Sequence, residues 1–159
     1  MPALTSGIVD VAFVWLPAEL EGLEHRVIAS EPRMIALHLG HPLAGRDAVE
    51  LRDIADVPLV RTNKAPEFWV DWWAVNPRPD GTRATWGPDN DNPEEQLDHV
   101  AAGVAGAIVP QSMSAYYGRP DLVYLPITDI DPLRIALGWT GGPRPLVAAF
   151  IDAVLELAG

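Results

Sequence analysis

The sequence contains no cysteine, which excludes disulfides, iron–sulfur clusters and thiolate zinc sites. Positive charge is scarce: 11 Lys and Arg stand against 22 Asp and Glu, a formal net charge of −11. The cations are scattered singly. An acidic surface repels phosphate, so the chain by itself is not expected to hold nucleic acid or an anionic membrane. No apolar run reaches the ~20 residues that a membrane-spanning helix needs. Met1–Gly7 has neither a basic n-region nor an apolar h-region, so no export signal is read and a cytoplasmic location is expected. Internal repeats and low-complexity segments are lacking too. What is present is a core: 48% of the 159 residues are hydrophobic, enough for one full domain or two small lobes.

The apolar pattern alternates strands with helices. Ile8–Trp15 is apolar on both parities and reads as a buried, parallel strand preceded by Gly7, a helix stop. Further strands are expected at His25–Ala29, Met34–Leu39, Pro58–Thr62, Thr82–Trp86, Ala105–Val109, Leu122–Pro126 and Leu133–Thr140. Leu51–Ala55 carries a helical turn, and Pro66–Val75 is a helix with Pro66 suited to its first turn. Asn76–Gly81 and Gly87–Asn92 read as loops. The best-marked helix opens at Asn92-Pro93-Glu94-Glu95, where a capping residue, a first-turn proline and two acids meet. Gly103 ends it. Gln111–Tyr117 and Leu146–Leu157 complete the helices. This alternation implies an α/β fold with mixed, mostly parallel sheets.

Several residues invite chemistry and have a plainer role available. His41 precedes Pro42, which holds it extended. No second histidine falls at metal-ligand spacing from it, so it reads as a turn or hydrogen-bonding residue. Gly103-Val104-Ala105-Gly106 follows a helix and precedes a strand, the reverse of a phosphate loop. A tight turn is the plain reading, and a backbone amide at Val104 facing a ligand is the other. Ser112 and Ser114 lack a nucleophile-elbow context. Asp89, Asp91, Glu94 and Glu95 match no calcium-loop pattern. Trp69, Trp72 and Trp73 share one helix face, as a core stripe or as an aromatic wall beside a pocket. Thr62, Asn63, Pro66, Glu67 and Phe68 lie between a strand end and a helix start, where open α/β sheets bind ligands. No catalytic constellation, metal site or cofactor motif can be assembled.

Beyond these local patterns, Ser6-Gly7-Ile8-Val9-Asp10-Val11-Ala12-Phe13, Ser30-Glu31-Pro32 with His41-Pro42-Leu43-Ala44, Leu51-Arg52-Asp53-Ile54, Val100 to Pro110 and Leu125-Pro126-Ile127 follow one another in a distinctive order. In that order and spacing they resemble the C-terminal effector-sensing domain of LysR-type transcriptional regulators, which is similar to type 2 periplasmic binding proteins. The resemblance covers nearly the whole chain. It implies two α/β lobes flanking a cleft: lobe I from 1–38 and 129–159, truncated at its start, and lobe II from 39–128. It also implies a small-molecule effector, a homo-oligomer, no enzymatic activity, and access to DNA only through an N-terminal winged helix-turn-helix absent from this sequence. By the same resemblance, Trp15 and Thr62–Phe68 line the cleft, with Trp15 narrowing it or stacking on an aromatic effector. A free-standing solute-binding protein of similar fold and a degenerate protein-association module are the alternatives.

Overall fold

The computed structural model describes residues 2–158. In chain order its elements are α1 (Pro2–Thr5), β1 (Val11–Leu16), β2 (Leu23–Glu31), β3 (Arg33–His38), β4 (Leu59–Thr62), α2 (Glu67–Ala74), β5 (Trp86–Asn90), α3 (Pro93–Ala101), β6 (Ala107–Pro110), α4 (Gln111–Tyr116), β7 (Leu122–Pro126), β8 (Leu133–Thr140) and α5 (Pro145–Ala158). A single 3₁₀ turn at Leu51–Ile54 precedes β4. The elements fall into two units. One is built from the chain up to Glu31 and from Leu133 onward, and the other from Pro32 to Pro132.

The first unit holds one sheet in the order β1-β8-β2, antiparallel throughout. This corrects the parallel, doubly buried strand expected for Ile8–Trp15. β1 has a single neighbour, β8, and its alternate side chains Phe13 and Trp15 are exposed. Ile8 and Val9 precede the strand and are exposed as well. Gly7 does end a helix: it adopts φ 72° and its N–H bonds Leu4 O at 3.1 Å. α5 packs Ile151 against Leu137 and Trp139.

In the second unit β3 lies between β6 and β7, antiparallel to both. The sequence assigned Met34–His38 to the first lobe, whereas these ladders place it here. β4 and β5 pair in parallel. A parallel bridge between Leu59 and Gly106, with Val60 N–H bonded to Gly106 O at 2.9 Å, ties β4 to the segment leading into β6. The strand order is therefore β5-β4-β6-β3-β7. The α/β class holds and the sheets are mixed, but parallel pairing is confined to β4, β5 and β6 and to a second bridge between Val49 and Ile127.

The sequence also misplaced β5. Its ladder begins at Trp86, where a strand was expected to end, and runs through Gly87-Pro88. β5 is an edge strand, where a proline's missing N–H is tolerated. Gly87 is needed for close approach, since a Cβ there would stand 2.8 Å from Ala105 Cβ. α3 begins as its composition dictates, with Glu95 N–H bonded to Asn92 Oδ1 at 2.9 Å. Its Leu97 and Val100 enter the core with Ala36, Val60, Ala107 and Val109.

Candidate functional site

Three strand-to-helix junctions open on one edge of the second unit. β4 leads to α2, β5 to α3 and β6 to α4. Because the three strands run in the same direction, their C-terminal ends share that edge, where α/β sheets present ligand-binding loops. β3 runs the other way, and Arg33 at its start pairs with Pro110 at the end of β6. Arg33 therefore belongs to the same edge.

The edge is polar and already organised. Thr62 faces Asn90 in the β4–β5 ladder, and Asn63 N–H donates to Asn90 O at 3.1 Å. Asn90 is 4% exposed. Its Nδ2 donates to Asn92 O at 2.9 Å, while its Oδ1 is buried without a partner. Arg61 Nη2 meets Glu67 Oε2 at 2.7 Å, and Lys64 Nζ meets Asp91 Oδ2 at 3.0 Å. The Lys64 ammonium holds the Asp91 carboxyl below its ordinary range, through the hydrogen bond first and its charge second. Both cations on β4 and the following loop are thus offset by acids within the site.

Arg33 differs from them. It is 3% exposed and forms no ion pair among the described residues. Its Nε donates to Asp131 O at 2.7 Å and its Nη1 to Trp72 O at 2.8 Å. Its Cζ lies 3.9 Å from the centre of the Trp72 ring, a cation–π distance. Burial lowers its pKa to about 10, against the opposing pull of Asp131, so it stays charged at neutral pH. Two backbone carbonyls and an aromatic face hold this cation. In doing so it fastens the last turn of α2 to the segment after β7.

The tryptophans resolve into different roles. Trp73 is buried, with Trp69 and Trp72 in edge-on contact at 5.6 and 5.2 Å between ring centres. Trp69 and Trp72 are only partly buried. The stripe therefore roots α2 in the core and supplies a platform for Arg33.

Among the expected site residues, Thr62, Asn63, Pro66, Glu67 and Phe68 come together at the β4–α2 junction. Pro66 is the residue before the helix, with φ −58° and ψ 144°, and not its first-turn residue. Phe68 is 42% exposed. Trp15 lies in the first unit on β1, opposite Ile135 of β8. Val104 is not with the others. It lies in the turn between α3 and β6, at the opposite ends of β4 and β6, and lines a cavity with His38 and His41. His41 takes the turn role expected of it, its Nδ1 accepting from Leu43 N–H at 3.2 Å.

Sequence reasoning missed Arg33 and Asn90. A lone cation inside the apolar run Pro32–Leu39 was the available signal for Arg33. Asn90 carried none, being one polar residue of a stretch read as loop. No group of three or more His, Asp or Glu capable of holding a metal occurs among the described residues.

The LysR substrate binding domain model matches residues 1–159. The chain is 32% identical over 142 residues to the HTH-type transcriptional regulator BudR of Raoultella terrigena, covering 87% of this chain and 49% of that protein. It is 30% identical over 160 residues to the HTH-type transcriptional regulator ShiR of Corynebacterium glutamicum (strain R), covering 98% and 52% respectively. The chain thus spans about half the length of these curated relatives. Among solved structures, the BenM effector binding domain with its effector benzoate superposes with a TM-score of 0.83 at 21% identity, covering 98% of this chain and 71% of that one.

Proposed function

The chain belongs to the LysR substrate-binding domain family, and from that premise we propose that it senses a small organic effector for a LysR-type transcriptional regulator. The effector docks on the edge formed by Thr62, Asn63, Pro66, Glu67 and Phe68. The observation that carries this reading is the convergence of three strand-to-helix junctions and the buried Arg33 on one edge of the second unit.

The chemistry is binding, and no reaction is assigned. Paired charges at Arg61–Glu67 and Lys64–Asp91 give an effector both donors and acceptors without a net field. Thr62 and Asn63 add neutral groups, and Phe68 offers apolar area. An effector acts only by preferring one of two arrangements of the protein, so its output is a population shift. DNA binding belongs to other segments of the whole regulator, which we propose to be a cytoplasmic homo-oligomer. The apolar side chains that α5 leaves exposed, Leu146 and Phe150, support association.

A panel of small organic acids, phenols and amides tests the reading by thermal shift, because a ligand of the folded state raises stability by mass action. The expected result is one chemical class that raises Tm in the natural protein and fails to do so in Thr62→Val and Phe68→Ala variants of unchanged basal Tm. A class whose effect survives both substitutions would overturn the assignment of this edge.

A further inference from the structure

The cavity beside Val104 is a different place from the effector edge. It opens where β4 and β6 begin, beside Pro58 and Ala105. Thr62 lies four residues further along β4, roughly 13 Å away at strand rise. Its volume is about 300 Å³, at the lower end of the range for small-ligand pockets. Leu37, Val57 and Ala105 give it a buried apolar floor, and Val104 a half-exposed wall.

The polar groups around it are complementary in kind. The His38 and His41 rings stand edge-on, 5.8 Å between centres. Each Nδ1 accepts a backbone N–H, from Gly40 for His38 and from Leu43 for His41, both at 3.2 Å. An accepting Nδ1 carries no proton, so in each neutral ring the hydrogen is on Nε2. Neither Nε2 has a hydrogen-bond partner among the described residues. Burial, and then repulsion from His38, lowers the pKa of His41, which keeps that ring a neutral donor. The ring of His38 lies against two glycines: a Cβ on Gly40 or Gly103 would stand 3.2 or 3.3 Å from it.

Asp53 and Asp56 line the cavity as well. Asp53 is committed to Glu50 N–H at 2.9 Å and to Arg46 at 2.9 Å. Asp56 has no partner among the described residues and is exposed. The residues lining the cavity therefore include two imidazoles with an N–H donor left over, one carboxylate without a partner and an apolar floor. An anion alone meets Asp56 on a chain of net charge −11. A cation alone leaves both N–H donors without an acceptor. A molecule carrying both charges on a short aliphatic body satisfies every group.

We propose that the cavity beside His38, His41 and Asp56 is a second small-molecule site, separate from the effector edge, that takes a small aliphatic zwitterion of the amino-acid type. The zwitterion's carboxylate accepts from the two Nε2–H groups, its ammonium meets Asp56, and its branched side chain lies on Leu37, Val57 and Val104.

Three probes that share one isobutyl group test this on the 159-residue chain: leucine, 3-methylbutylamine and 3-methylbutanoate. Binding is read from the imidazole resonances of His38 and His41, with calorimetry alongside. Leucine is expected to shift both rings saturably at millimolar concentration and to bind at least about tenfold more tightly than either single-charge analogue, as the loss of a charged hydrogen bond demands. Asp56→Asn and Val104→Trp, both at exposed positions, are expected to weaken leucine to a similar degree, and Phe68→Ala to leave it unchanged. Three results would overturn the proposal: no saturable shift with leucine, 3-methylbutanoate binding as well as leucine, or leucine binding lost in Phe68→Ala and kept in Asp56→Asn.

Discussion

Arg33 brings a full charge into the second unit without a carboxylate to meet it. Its worth lies in geometry, because one planar fork reaches Asp131 O and Trp72 O at once while stacking on Trp72. Lysine presents a point charge and cannot do all three. Arg33→Ala is expected to lower unfolding free energy by about 2–3 kcal/mol, since two part-buried carbonyls lose their donors. Arg33→Lys is expected to recover less than half of that. Urea unfolding followed by tryptophan emission measures both, and full recovery by lysine would show that charge alone matters there. His41 supplies the pH-dependent counterpart. Its folded pKa lies below the ordinary 6.5, so the folded protein holds fewer protons than the unfolded chain between those values. The stability contributed by the neutral ring is complete above that ordinary value and is lost as pH falls from it through the folded pKa. Asparagine at this position accepts the Leu43 N–H without titrating, so His41→Asn is expected to flatten the fall of Tm below pH 6.5. At this scale the sequence was partly legible. It identified the turn role of His41 because proline restricts its neighbour, but it kept His38 and His41 apart because spacing alone does not reveal a turn that folds back.

At the level of elements, local chemistry decided most starts and stops, and tertiary pairing decided the exceptions. α3 begins where Asn92, Pro93 and two acids place it, and Asn92→Ala is expected to cost about 1 kcal/mol while Asn92→Asp costs little. Thermal denaturation of the two variants checks this, and equal losses would mean that the cap bond at Glu95 N–H contributes nothing. β5 is the opposite case. Gly87-Pro88 signals a loop, yet parallel hydrogen bonding to β4 overrides it, with Gly87 against Ala105. Gly87→Ala is expected to destabilise by about 1–3 kcal/mol through overpacking. The double variant Gly87→Ala, Ala105→Gly is expected to recover part of that loss, since it moves one methyl across the contact. A double-variant cycle in urea measures the coupling, and additivity would separate the two residues. Strand direction escaped the sequence for a related reason. β1 is apolar on both parities, which usually means burial on both faces, but as an edge strand beside β8 it leaves Phe13 and Trp15 exposed. Hydrophobicity reports burial in general and does not name the neighbour.

On the scale of the whole chain, the decisive feature is that one unit is continuous in sequence and the other is not. Pro32–Pro132 contains both of its sheets, the bridge that joins them, the Leu97–Val100 core and all three partners of the Arg33 contact. The order of motifs along the sequence already implied a chain that leaves one lobe and returns. The exact change-over was not legible, because Arg33–His38 is as apolar as a strand of either lobe and only its ladders to β6 and β7 assign it. Every hydrogen-bonded strand pair of the second unit is internal to it, so the excised segment 32–132 is expected to fold cooperatively, with an m-value of about 1–3 kcal/mol/M in urea. It retains Trp69, Trp72, Trp73 and Trp86, so tryptophan emission and near-ultraviolet dichroism follow its packing directly. A compact form without near-ultraviolet signal would mean that the core requires the rest of the chain. Because the Thr62–Phe68 edge and the His38–His41 cavity both lie in this segment, a folded fragment is expected to keep leucine-induced shifts of the two histidines.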